Sequence, residues 1–158
     1  MKNINEKGFG IIEVLVASTI SIVVLLGIAS YLNYAMKVSA EGTKKVEALY
    51  HAKSLIEQSR AFRDEDWDVL WALTKDANYH FDQSATTPEK WVAVLGQGTF
   101  GEYTMQVVFS KVERDLNDDI VLTGGSGDDN TIKVTSTVTY STRDGTGQVE
   151  LFEYLTNH

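Results

Sequence analysis

A chain of 158 residues has room for one globular domain plus an anchor. It holds no cysteine, which excludes disulfides and thiol chemistry. The net charge of −8 is unevenly placed: Lys37 to Arg63 carries six cations and three anions, and Asp64 to His158 carries six cations and 17 anions, so the second stretch disfavours direct binding of nucleic-acid phosphates.

Residues 1–8, MKNINEKG, are short and polar. From Phe9 to Met36 the chain is apolar with one charge, Glu13. An ionised side chain in such a run costs roughly 2.5–3.5 kcal/mol on insertion, so it marks a functional residue that needs a partner. The 23 residues from Val14 to Met36 carry no charge. As a helix they span about 35 Å, enough to cross a bilayer with some tilt. A secretory signal peptide has an apolar core of only about 7–15 residues and a small-residue cleavage site after it, and neither feature is present. A plain signal anchor accounts for the length but leaves Glu13 without a reason. Lys2 and Lys7 flank one side of the run and Lys37, Lys44 and Lys45 the other, so positive charge does not fix the orientation.

The run GFGIIEVLVAS, Gly8 to Ser18, resembles the start of type IV pilins and of the related pseudopilins of type II secretion: a Gly, then a Phe, then a Glu at the fifth position after the cut. The resemblance implies that a prepilin peptidase at the cytoplasmic face cuts between Gly8 and Phe9 and methylates the new amine of Phe9. It also implies that Glu13 meets that amine on a neighbouring subunit as a filament grows from an inner-membrane assembly platform. A buried pair of this kind fixes register more than it adds net stability.

Three positions depart from the family pattern. Gly10 stands where a small hydroxyl is common. Ser30 lies where many major pilins carry a helix-bending proline, and the single proline here is Pro88. Without cysteine, the C-terminal disulfide loop of many pilins cannot form. The last two departures fit a minor pilin or pseudopilin better than a major one. The implied organisation is a leader at 1–8, a transmembrane and filament-core helix at 9–36, and a soluble head at 37–158 that includes the stem half of the helix. The precursor would sit once across the cytoplasmic membrane with its head outside the cytoplasm. The product would be an extracellular or periplasmic filament. The alternative of a different class is a bitopic, membrane-anchored binding protein or adhesin that never polymerises.

Beyond the membrane segment, Val46, Leu49, Ala52 and Ile56 predict one apolar face of a stem helix ending near Arg63. Asp64-Glu65-Asp66 predicts a new helix cap, with Trp67, Leu70 and Trp71 on one face of a short amphipathic helix. The two tryptophans suit core or interface anchors, with ligand stacking as the sharper alternative. Asn78 to Pro88 is polar and predicts a loop. From Lys90 the period becomes two: Trp91–Leu95, Tyr103–Ser110 and Ile132–Tyr140 predict strands, Arg143 to Gly147 a turn, and Val149–Leu155 a last strand. The expected fold is α+β, a long N-terminal helix packed on a C-terminal antiparallel sheet of about four strands, with Thr and charged residues facing water.

Several patterns bear on chemistry. Gly96 to Gly101 fits G-x-G-x-x-G, but a period-two strand follows where a nucleotide fingerprint needs a helix, so a hairpin turn is predicted. Asp115, Asn117, Asp118 and Asp119 precede one short apolar segment, and Asp128 and Asp129 follow it. Together these oxygens suit calcium, which takes six to eight at about 2.3–2.6 Å. The resemblance makes calcium relevant, since some pseudopilins hold the ion beside the sheet. No EF-hand spacing is present, and acidic turns are commonly just solvated. His51, His80 and His158 come with no nucleophile elbow and no zinc spacing, so no enzymatic activity is expected. His51 is placed on the stem helix and His80 in a surface loop beside Asp82.

Overall fold

A computed structural model describes residues 10–84, 90–121, 123–143 and 145–157. The chain falls into two compact units, Met1–Gly42 and Thr43–His158. Helix α1 (Ile11–Glu65) starts in the first and ends in the second.

Within the second unit, α1 presents a buried stripe of Ala48, Ala52, Leu55, Ile56, Ser59 and Phe62. Ala52 and Ile56 lie on it as predicted, whereas Val46 and Leu49 are about half exposed. The reason is steric. Ala48 and Ala52 let the sheet approach closely, and Tyr103, Val138 and Tyr140 fill the space above them. Ser59 tolerates burial because its hydroxyl donates to the Leu55 carbonyl at 2.8 Å.

The predicted cap forms at Asp66. Its Oδ1 accepts from the amides of Asp68 (3.0 Å) and Val69 (3.2 Å) and starts α2 (Trp67–Ala72). Leu70 is fully buried in the main core, with Trp67 and Trp71 packed against it and stacked on each other at 5.9 Å. Lys75 closes this helix by donating to the carbonyls of Trp71 and Leu73 at 2.6 and 3.0 Å.

Among the described residues the sheet has seven strands, where about four were expected. In chain order they are β1 (Asn78–Gln83), β2 (Trp91–Leu95), β3 (Gly98–Phe100), β4 (Tyr103–Arg114), β5 (Ile120–Val121), β6 (Ser126–Thr142) and β7 (Gly145–Thr156). All pairs are antiparallel, in the order β2-β1-β4-β6-β7, with β3 and β5 attached to β4. The four predicted strands are β2, β4, β6 and β7. Strand β1 lies in the stretch predicted as loop. Its period of two is carried by Tyr79 and Phe81 alone, and pairing with β2 from Tyr79↔Leu95 to Gln83↔Trp91 overrides the strand-averse Asn and Asp. Strands β3 and β5 are too short to show a period.

The inner face of the sheet forms the core. Val107, Phe109, Ile132, Val134 and Leu155 meet Ile56, Phe62 and Leu70. The outer face carries Thr, Gln and charged residues, as the alternation predicts. Tyr103 links sheet to stem: its hydroxyl donates to Glu47, and chiefly for that reason its phenol is pushed up to about 12.

Candidate functional site

The described residues of the first unit from Ile11 to Gly42 are helical, and all are exposed. Every large apolar side chain from Ile11 to Val38 is at least 50% exposed. A helix apolar on all sides suits hydrocarbon rather than water. Its length and composition are sufficient to cross a membrane. Its polar side chains are compatible with that setting. The hydroxyls of Ser18, Thr19 and Ser21 donate back to the carbonyls of Leu15, Leu15 and Ala17 at 2.9, 2.8 and 2.8 Å. These three hydroxyls therefore present no unpaired donor to their surroundings.

Glu13 is the acidic residue in the first turn of α1. Its amide donates to the Gly10 carbonyl at 2.9 Å, and its side chain is exposed. A carboxylate there is favoured by the positive end of the helix dipole, though not enough to offset burial in lipid. Gly8 and Phe9, the predicted cleavage and methylation positions, lie outside the described residues.

The second candidate is the pair of acidic stretches expected as loops: Asp115 to Asp119 form one, whereas Asp128 and Asp129 lie on β6. Asp115 turns back on its own loop: it accepts from the amides of Asn117 at 2.8 Å and Asp119 at 3.0 Å. Those bonds, that from Asp119 foremost, hold its carboxyl below the usual range. Asp118 sits at φ +69°. Its carbonyl accepts from Arg114 Nη1 at 2.8 Å. The same guanidinium reaches the other acidic stretch, which lies on β6, with Nε 2.7 Å from Asp128 Oδ2 and Nη2 3.3 Å from the Thr131 hydroxyl. Thr131 and Arg114, with the Asn130 amide, hold the Asp128 carboxyl down to about 2. Asp129 is exposed.

Arg114 thus stands between the acidic loop and the start of β6, the two stretches weighed for calcium, and it bonds to both. Sequence reasoning missed it, although an arginine between Glu113 and Asp115 at a strand end was a visible signal. Among the described residues, no three His, Asp or Glu side chains converge in a way that suits a metal.

The histidines lie elsewhere. His80 is on β1 rather than in a loop, and it is half-buried, with Nδ1 3.2 Å from the Gly96 carbonyl and Nε2 3.6 Å from Asp82. His51 packs on the rings of Phe100 and Tyr103 at 5.3 and 5.0 Å. His158 lies outside the described residues. Of the Gly96 to Gly101 stretch, residues 98–100 form β3, and β4 follows rather than a helix. The phosphate cradle of a nucleotide fingerprint is therefore not built.

No family model, curated protein or solved structure matches the chain.

Proposed function

We propose that this chain is the membrane-inserted precursor of a minor type IV pilin or pseudopilin, a structural subunit rather than an enzyme. One observation carries the reading. Glu13 is the single charge between Gly10 and Met36, in an apolar helix of membrane-spanning length, and it stands at the family's position after Gly8 and Phe9. A carboxylate in hydrocarbon requires a cation. Cleavage between Gly8 and Phe9 creates one, and staggered helices bring it to Glu13 of the adjacent subunit. The all-round apolar surface of the helix serves first as anchor and then as filament core. Ala17, Ser21 and Gly27 are small enough to let neighbouring helices approach closely. The partners are other subunits of the same kind, a prepilin peptidase, the membrane and its assembly platform.

Co-expression with a prepilin peptidase tests the reading by intact mass. Loss of the eight-residue leader and gain of one methyl on Phe9 support it. An uncut chain overturns it in favour of a permanently anchored extracellular binding protein.

A further inference from the structure

The outer face of the sheet carries a second feature, independent of cleavage or assembly. Across β4, β6 and β7 the register places Thr104, Thr139 and Gln148 in one row and Gln106, Thr137 and Glu150 in the next. The third row is Val108, Thr135 and Phe152. These three rows hold one charge, Glu150, in a chain that is 23% charged. The first two rows, with Val108 and Thr135, line a trough of about 360 Å³, within the size range of small-ligand sites.

The trough is furnished for hydrogen bonding but does little of it internally. The side chains of Thr104, Thr135, Thr137, Gln148 and Glu150 bond to no other described residue. Thr137 forms the floor at 7% exposure. Gln97 on the rim donates to the Gln106 carbonyl oxygen at 2.6 Å, which fixes that amide and leaves its NH₂ to donate. Beside the trough, Phe152 stands 61% exposed, edge-to-face with Tyr154 at 6.0 Å and 5.0 Å from the Lys133 ammonium. Lys133 and Tyr154 stand opposite each other in the next row, so both steady the ring from the end away from the trough.

The chemistry selects a ligand class. Hydroxyls and primary amides both donate and accept, as sugar hydroxyls do. A carboxylate accepts from two neighbouring hydroxyls at once. An exposed ring offers its face to the C–H side of a pyranose. An apolar ligand would leave the Thr and Gln groups unpaired at a cost. A polyanion would meet Glu150 and the net negative charge of the stretch from Asp64 to His158. We propose that this trough binds a neutral pyranose chain, with Thr137, Gln106 and Glu150 reading its hydroxyls and Phe152 stacking on one ring.

The test uses the full chain in lipid nanodiscs, free of sugar-headed detergent. Maltotetraose, cellotetraose and chitotetraose are titrated by calorimetry, with tetragalacturonate as the acidic control. At least one neutral tetrasaccharide should bind with a Kd of about 1 mM or tighter. Thr137→Val and Phe152→Ala should each weaken it about fivefold, the loss of one neutral hydrogen bond or one ring contact, with the melting temperature unchanged. Should Thr137→Val fail to fold, Glu150→Gln on the trough wall replaces it, with the same expected loss. No binding by any neutral probe at about 10 mM, equal or tighter binding of tetragalacturonate, or parent-like binding by the folded variants overturns the proposal.

Discussion

Arg60 grips Glu153 through three contacts: Nη2 lies 2.6 Å from each carboxylate oxygen and Nε 2.8 Å from one of them. Glu57, one turn back on α1, adds a second carboxylate at 2.9 Å. The pair ties α1 to the edge strand β7 outside the apolar core. Its side chains are 41% and 29% exposed, so solvent screens much of the attraction. The fork geometry puts it at the upper end of exposed pairs. A double-mutant cycle of Arg60→Met and Glu153→Gln should give a coupling of about 0.5–1 kcal/mol, shrinking at high salt. Urea denaturation of the full chain in micelles, followed by near-UV circular dichroism, measures it. Strictly additive losses would mean that the contact contributes nothing.

Asp128 gives a pH dependence. Its carboxyl sits at about 2 in the folded chain, against an ordinary value near 3.9. The unfolded chain therefore takes up this proton first as pH falls. The group's contribution to stability is in place above about pH 4 and is lost as pH drops towards 2. The side chain is only 12% exposed, so the contribution is on the order of 2 kcal/mol. Asp128→Asn should lower stability at pH 7 and flatten the acid limb in that window. An acid limb as steep as the parent's would contradict the assignment.

Gly147 faces Tyr140 across the β6–β7 register, and a Cβ there would lie 2.5 Å from the ring. Tyr140 is 7% exposed and wedged among Ala48, Ala52 and Val138, so it cannot step aside. Gly147→Ala should cost about 1–3 kcal/mol by overpacking. Gly127→Ala, which enters open space, should stay within about 0.5 kcal/mol. Equal effects at the two sites would rule out the steric account.

Glu13→Val tests the proposed assembly role without touching the second unit. The substitution removes a charge from the apolar run, so membrane insertion should be intact or better. Incorporation into filaments should disappear, read by shearing surface material from cells and blotting for the chain. Normal incorporation would show that no register depends on this carboxylate.

What the sequence disclosed follows from where its signals were strong. Strands β4, β6 and β7 alternate apolar and polar residues over many positions, and Asp66 stands where a cap is needed before Trp67, so these elements were legible. The stem stripe was legible at Ala52 and Ile56 but drawn to Val46 and Leu49, which are more hydrophobic than the buried Ala48. Closeness of approach, not side-chain size, chose the buried face. Strand β1 was hidden by its polar residues and exists through its neighbours. At the acidic stretches, carboxylate density was legible, but Arg114 reaching from the end of β4 to both the 115–119 loop and β6 was not, since a guanidinium's reach depends on the fold. The trough across three strands required the register, which no single segment contains.

The chain has no single comfortable medium. Its leading helix satisfies the hydroxyls of Ser18, Thr19 and Ser21 within itself and turns oily residues outward on every side, while the following portion buries its oil and displays hydroxyls and acids. A thermal melt or a denaturant midpoint therefore belongs to the trailing portion alone. The leading one is long and apolar enough to cross a bilayer, where few competing hydrogen bonds would loosen its helix.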